Sequence, residues 1–283
     1  LRVTLRDLPA IGAVSLAASI RPQPSIGQDG EVMRAPPDSN HSPAAHGVYF
    51  VAIDTPYPDA WIIVPAFNEA QVIGDVIADL RQVFDHVVCV DDGSRDDTAD
   101  IALRAGAHVV RHPVNLGQGA AIQTGVEYAR TKPGAAVFVT FDADGQHRVK
   151  DVLVMIDRLT KGDVDVVIGT RFAGSTVSHT PPLKRLILRT AAALSPSSHR
   201  LHLTDAHNGL RVFNKTVADN LSLTMNGMSH ATEFITLIVE NHWRVAEEPV
   251  EILYTEYSMS KGQPLLNGVN IVFDGFLRGR MRR

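Results

Sequence analysis

From Trp61 onward, compact apolar runs alternate with amphipathic stretches. "WIIVPAF" (61–67), "HVVCVDD" (86–92), "AHVVRH" (107–112), "AAVFVTFD" (135–142) and "VDVVIGTRF" (164–172) are short and rich in β-branched residues, the pattern of buried strands. Between them, "NEAQVIGDVIADLRQVF" (68–84) carries Val72, Ile73, Val76, Ile77, Leu80 and Val83 as a helical stripe. "DDTADIALRAG" (96–106) reads as a helix with Asp96 or Asp97 as N-cap and Gly106 as its stop. "GQGAAIQTGVEYART" (117–131) and "VKDVLVMIDRLTKG" (149–162) are further helices. This alternation predicts an α/β fold, a mostly parallel sheet flanked by helices and joined by right-handed crossovers.

After Phe172 the pattern loosens. "TPPLKRLILRTAAAL" (180–194) and "HATEFITLIVENHW" (230–243) are expected as helices, and "GLRVFNK" (209–215) and "VEILY" (250–254) as strands. Residues 1–58 are rich in Pro, Ser, Gly and Ala without periodicity, which predicts a disordered leader, with "VYFVAI" (48–53) a possible stray strand and Met33 a candidate translation start. The folded domain is expected over 59–283. Its end, from about residue 264, offers Val269, Ile271, Val272, Phe273, Phe276 and Leu277, followed by Arg278, Arg280, Arg282 and Arg283. An apolar stripe with a basic end suits an anionic membrane surface, and equally a helix packed on the domain.

Composition changes this picture little. Of 283 residues, 45% are hydrophobic and 20% charged, and the formal net charge of −4 gives no global signal for nucleic acid. The single cysteine, Cys89, excludes an internal disulfide framework and fits a reducing compartment; its apolar surroundings make it a core residue. No uncharged apolar run reaches the roughly 18 residues of a transmembrane helix.

The chemistry lies at the strand ends. Ligands of an open parallel sheet bind beyond the carboxyl ends of its strands. Four expected strands end in polar clusters: "PAFNE" (65–69), "DDGSRDDT" (91–98), "DADGQH" (142–147) and "GTRF" (169–172). Each alone is compatible with turn chemistry; together they describe a site. The glycines of "NLGQGAAIQTG" (115–125) could bring backbone to a phosphate at a helix start, or simply permit a turn. Asp142 and Asp144, two residues apart at a strand end, lie close together. Such a pair repels unless a cation sits between, and with the amide of Gln146 it makes an oxygen-rich set suited to Mg²⁺ or Mn²⁺ rather than zinc. His147 is a further possible ligand or an exposed loop residue.

"VPAFNE", "VVCVDDGSRDDT", "NLGQGAA", "DADGQH", "GTRF" and "TDAHNGLRVF", in this order and spacing over about residues 60–283, resemble glycosyltransferase family 2 with its GT-A fold. They are most similar to its polyprenyl-phosphate sugar synthases of the dolichol-phosphate mannose synthase type. The resemblance implies that Pro65, Phe67, Glu69, Val90 and Asp92 line the base and ribose of a nucleotide-sugar donor. It implies that Asp142, Ala143 and Asp144 contact ribose and diphosphate, with Asp144 and Gln146 as metal ligands. Arg171 and Lys261 would meet donor or acceptor phosphates, and Asp205, Asn208 and Arg211 match the acceptor-side loop. Two positions depart from the pattern: Thr255 stands where an arginine is frequent, and "AHNGLR" replaces "TSGFR". The second departure resembles a subgroup making polyprenyl-phospho-N-acetylgalactosamine, so a UDP- or GDP-sugar is expected, with UDP-GalNAc favoured.

The implied reaction is inverting, metal-dependent transfer to polyprenyl phosphate. A phosphate monoester, with a second pKa of about 6, is its own nucleophile and needs no general base. Arg171, Lys184, Arg185 and Arg189 are candidates to neutralise it. The expected location is cytoplasmic, peripheral at the inner face of the plasma membrane, with the tail or a small membrane protein subunit as anchor. The alternatives are a hydroxyl acceptor with Asp205 as base, and a non-catalytic sugar-nucleotide binder. A processive synthase is disfavoured by the lack of a QxxRW stretch, and a dehydrogenase by the lack of GxGxxG after the first strand.

Overall fold

The structure, a computed structural model, describes residues 56–171, 201, 203–225, 229–253 and 257. All belong to one compact unit, Ala52–Arg283. The leader up to residue 55, the 180–194 segment, Lys184, Arg185, Arg189, Thr255, Lys261 and the tail lie outside the described residues.

Strands β1 (Ala60–Ala66), β2 (His86–Asp91), β3 (His108–Arg111), β4 (Val137–Thr140) and β5 (Val166–Thr170) alternate with helices α1 (Ile73–Arg81), α2 (Thr98–Arg104), α3 (Gln118–Arg130) and α4 (Val149–Thr160). Then come β6 (Arg211–Asn214), α5 (Lys215–Asn220), α6 (Ser229–Glu240) and β7 (Val245–Pro249). The seven strands form one sheet in the order β3-β2-β1-β4-β6-β5-β7. All pairings are parallel except those of β6, which runs antiparallel to both β4 and β5. The sheet is therefore mixed and mostly parallel, as the alternation predicts. The reversal has a consequence: the start of β6, not its end, meets the carboxyl ends of β4 and β5.

Helices cover both faces, as a parallel sheet requires. On one face, Ile73, Ile77 and Leu80 of α1, Ala102 of α2 and Met155, Ile156 and Leu159 of α4 pack on Ile62, Val64, Cys89, Val139 and Val167. On the other, Ala121, Ile122 and Val126 of α3, Val217 of α5 and Phe234, Ile235 and Ile238 of α6 pack on Ile63, Val90, Phe138 and Phe213. Cys89 is a core residue; burial, helped by the Asp91 charge, pushes its thiol up to about 12.

Three boundaries are set by local contacts. Helix α1 begins at Ile73, later than expected, because residues 68–70 donate their backbone N–H groups to side chains of the next loop, described below. Helix α2 does end at Gly106, whose φ of +97° and bond to Leu103 O, with Ala107 N to Ala102 O, make a Schellman stop. Among the described residues the last strand is "VAEEP", not "VEILY". The ladder with β5 closes at Thr170 opposite Pro249, and then Glu251 N turns to the Asp151 carboxylate and Leu253 N to Gln146 O. Val250 and Ile252 are buried on the α4 side instead of extending the strand.

Phe213 stacks on Phe138 at 5.9 Å and tilts against Phe234 at 5.7 Å, with all three fully buried. Phe213→Ala is expected to cost about 3–5 kcal/mol, read as a lower urea midpoint at an unchanged denaturant slope.

Candidate active site

The acidic centre follows β4. Asp142 is held on both oxygens: Gln118 Nε2 donates to Oδ1 at 3.0 Å, and His147 Nε2 lies 3.0 Å from Oδ2. The Asp142 carboxylate also occupies the space that a side chain at 209 would need. A Cβ there would come within 2.1 Å of Oδ2, so the close approach requires Gly209, whose carbonyl is fixed by the Thr140 hydroxyl at 2.7 Å. Burial works to raise the Asp142 carboxyl. Its bond and charge contact with His147, then the His230 and Arg211 charges, outweigh that and hold it below the usual range. Asp144 goes the other way: burial first, then the Asp142 charge, lifts it to about 6. Its Oδ1 accepts Gln146 N at 3.1 Å, while Oδ2 has no hydrogen bond among the described residues.

Arg211, at the start of β6 opposite Thr140, lies behind this pair. It is fully buried over the Phe234 ring, 4.8 Å from the centroid, and its three nitrogens have no hydrogen bond among the described residues. Burial pulls the guanidinium down to about 10 against the opposing charges of Asp142 and Asp205, so it stays charged at neutral pH. It acts as a fixed cation behind the carboxylates.

The ends of β1 and β2 form a second wall. Asn68 takes a left-handed conformation (φ 54°), and its N–H goes to Ser94 Oγ at 2.9 Å, Glu69 N to Thr98 Oγ1 at 2.8 Å and Ala70 N to Asp96 Oδ2 at 3.2 Å. Asp96 also accepts Thr98 N at 3.1 Å, so it supplies the capping bond of α2, whereas Asp97 occupies the cap position without one. Phe67 is 41% exposed here, while Pro65, Val90 and Ala143 are buried beneath the edge. Tyr257 donates to Glu69 Oε2 at 2.6 Å. Asp92 is buried, and its carboxylate accepts Leu116 N at 2.9 Å and Gly117 N at 2.7 Å, with His112 Nδ1 at 2.7 Å. The glycine loop is thus fastened by a protein carboxylate at the start of α3. A cleft of about 300 Å³ opens beside it, lined by Gly93, Ser94, Arg111, His112 and Pro113.

The third wall follows β5. Arg171 grips Asp205 with Nε and Nη2, each at 2.6 Å, and donates its backbone N–H at 3.1 Å. Asp205 is in turn placed by Glu247 of β7, which accepts Thr204 N at 2.9 and 3.0 Å, Thr204 Oγ1 at 2.9 Å and Asp205 N at 2.9 Å. Asn208 closes the loop by accepting Leu210 N at 3.0 Å.

The structure therefore brings Pro65, Phe67, Glu69, Val90, Asp92, Asp142, Ala143, Asp144, Gln146, Arg171, Asp205 and Arg211 to one sheet edge. His147 corrects the sequence expectation: it is neither exposed nor turned out as a ligand, but buried edge-on to Phe141 with Nε2 on Asp142. His112, Gln118 and Glu247 are organising residues that spacing did not single out. Among the described residues, no three His, Cys, Asp or Glu side chains group to hold a metal by themselves. The free Asp144 oxygen beside a repelling carboxylate, with the Gln146 amide nearby in the chain, still fits a hard cation that takes its remaining oxygens from water and a diphosphate.

Residues 61–222 match the family model described as Glycosyl transferase family 2. The chain is 34% identical to an uncharacterised protein of Methanocaldococcus jannaschii over 220 residues, 76% of this chain and 90% of that protein. It is 28% identical to the UDP-N-acetylglucosamine–dolichyl-phosphate N-acetylglucosaminyltransferase of Methanococcus voltae, over 75% of this chain and 93% of that one. Among solved structures it resembles the glucosyl-3-phosphoglycerate synthase of Mycobacterium tuberculosis in complex with Mn²⁺, UDP-glucose and phosphoglyceric acid. That likeness has a TM-score of 0.58 and 20% identity, covers 77% of each chain, and shows the GT-A-type fold. The chain belongs to glycosyl transferase family 2 and is a glycosyltransferase.

Gly209→Ala tests the acidic centre. The added Cβ must displace the Asp142 carboxylate. A 1 Å misplacement of that kind is expected to cost on the order of 10²-fold in turnover, with an unchanged circular-dichroism spectrum.

Proposed function

We propose that this protein uses a divalent cation to transfer a hexosyl group, with inversion, from a nucleotide-diphosphate sugar to polyprenyl phosphate. The observation that carries the reading is the partly buried Asp142–Asp144 pair at the sheet edge, one carboxylate held on both oxygens and the other with an oxygen open. The donor lies across the ends of β1, β2 and β4, its base near Phe67 and its diphosphate near Asp144. Asp144 and Gln146 would hold Mg²⁺ or Mn²⁺, which would supply charge stabilisation to the departing nucleotide diphosphate. Asp142, kept ionised by His147 and Arg211, orients the ribose and donor. The bond from the anomeric carbon to the diphosphate breaks as an oxygen of the acceptor phosphate attacks from the opposite face. Because that phosphate is already anionic, no base is needed. Lys261 and Arg171 serve the phosphates, and Arg171 can do so only by sharing its guanidinium with Asp205.

The acceptor is where support divides. The Methanococcus voltae relative is named for a dolichyl phosphate, and both oxygens of Asp205 are occupied by Arg171, which suits an acceptor that needs no base. The solved likeness holds phosphoglyceric acid, a soluble molecule with a free hydroxyl, and favours the second reading: transfer to a hydroxyl, with Asp205 released from Arg171 as base. The sugar is left at the level of a hexosyl group, since the named relatives carry N-acetylglucosamine and glucose rather than N-acetylgalactosamine. Incubation with labelled UDP- and GDP-sugars, in parallel with polyprenyl phosphate in vesicles and with soluble hydroxyl acceptors, separates the readings. A mild-acid-labile lipid product supports the first; label only in soluble glycoside overturns it in favour of the second.

Membrane contact is proposed to be peripheral, through residues 264–283 or a small membrane protein subunit. Among the described residues no helix is long and apolar enough to cross a membrane. Detergent-free fractionation of a chain ending at residue 263 tests the tail; unchanged membrane recovery argues against it.

Asp144 gives a prediction with a defined sign. Its folded value of about 6 lies above the ordinary 3.8, so the folded state binds this proton more tightly than the unfolded state. Its ionisation therefore opposes folding, progressively from about pH 4 to 6 and in full above that. Without metal, Asp144→Asn should be more stable than the wild type at pH 7 by roughly 1–3 kcal/mol, yet inactive. Mn²⁺ affinity of the wild type, followed by calorimetry, should fall as pH drops through about 6. Full activity of Asp144→Asn or Asp144→Ala overturns the assignment.

A further inference from the structure

His112 is almost completely buried at the floor of the cleft beside the glycine loop, with both ring nitrogens engaged. Nδ1 is 2.7 Å from Asp92 Oδ1 and Nε2 is 2.9 Å from Thr124 Oγ1. A carboxylate can only accept, so Nδ1 carries a proton, and the threonine hydroxyl can serve Nε2 in either protonation state. Asp92 Oδ1 also accepts Leu116 N, and Oδ2 accepts Gly117 N. Gly117 has φ 94° and ψ 158°, a conformation open essentially to glycine alone, and it is followed by Gln118, whose amide holds Asp142. A hydrogen-bonded chain thus runs from Thr124 on α3 through His112, Asp92 and the loop backbone to the carboxylate at the end of β4.

We propose that His112 is a positioning residue for the donor site: it fixes Asp92 as the anchor of residues 115–118, and so sets Gln118 against Asp142. The inference deepens the proposed function and rests on that reading for its effect on nucleotide. It argues against Asp92 as a free base-reading carboxylate, because three of its roughly four lone-pair directions are already used by protein. Held by three donors, Asp92 gains little from a ligand and loses much if the loop lets go.

Two conservative variants divide the ring between them. His112→Asn places an amide near the Nδ1 position and keeps the bond to Asp92, whereas His112→Gln reaches the Nε2 position and keeps Thr124. The experiment compares these two and His112→Ala by hydrogen exchange of the 113–118 backbone and by calorimetric titration with UDP and with GDP, each with Mn²⁺. His112→Ala and His112→Gln should speed exchange in the loop and weaken nucleotide binding roughly 10- to 100-fold. His112→Asn should restore both to near wild type. A merely structural histidine would instead lower the melting temperature in all three without this split. Equal losses in the Asn and Gln variants, or wild-type exchange and affinity in His112→Ala, overturn the proposal. Wild-type protein binding neither nucleotide would overturn the functional reading, while the exchange pattern would still judge the anchor.

Discussion

Holding the partly buried Asp142 carboxylate in its ionised form is the constraint around which the site is arranged. An ionised carboxylate taken out of water is costly unless it is paired and hydrogen-bonded. The chain meets that cost from four directions. His147 approaches one oxygen from the loop that follows, and Gln118 the other from the start of α3. Gly209 leaves out a side chain where the carboxylate must sit, and Arg211 places a buried positive charge behind it. Three of these depend on something further: Gln118 on the fastening of the glycine loop to Asp92, Gly209 on the Thr140 hydroxyl, and Arg211 on the antiparallel course of β6.

That reversed strand explains how two kinds of connection reach one end of the sheet. Parallel strands deliver their ends, and hence Phe67, Asp92 and Asp144, to one edge. A strand running the other way delivers its beginning, so the 203–210 loop, with Asp205 and Asn208, arrives at the same edge from the opposite side of β4. On the proposed function, these two sides would be the donor and acceptor sides of the acidic pair. The pair itself is left unbalanced: Asp142 is satisfied, while Asp144 lies half-buried beside it with an oxygen open. A cation, on the proposed function, would relieve this imbalance.

Much of this was legible in the sequence, for physical reasons. Strands buried on both faces read as continuous apolar runs, and the polar clusters that end them are where the sheet puts its ligands. What escaped had no periodic signature. The last strand, "VAEEP", lies at the sheet edge and is half exposed, so it lacks an apolar run; its Glu247 looks like a surface charge and in fact holds the backbone of Thr204 and Asp205. The more apolar "VEILY" attracted the assignment, and its Val250 and Ile252 pack on the α4 side instead. His147 looked like a loop residue because its burial comes from Phe141 and Asp142, partners that one-dimensional spacing shows only as neighbours. Asp92, likewise, announces a strand-end carboxylate but not that the loop 24 residues on will occupy it.

The central claim is that Asp144, with Gln146, would hold the cation at the end of β4, where it would supply charge stabilisation to the donor diphosphate. Crystals grown with Mn²⁺ and UDP, with diffraction recorded so that manganese scatters anomalously, test it directly. The account predicts a single strong anomalous peak at bonding distance from the Asp144 carboxylate, within reach of the Gln146 amide, with Asp142 still on His147. A peak ligated by Asp92 or Glu69, or one that leaves Asp144 unliganded, would contradict it.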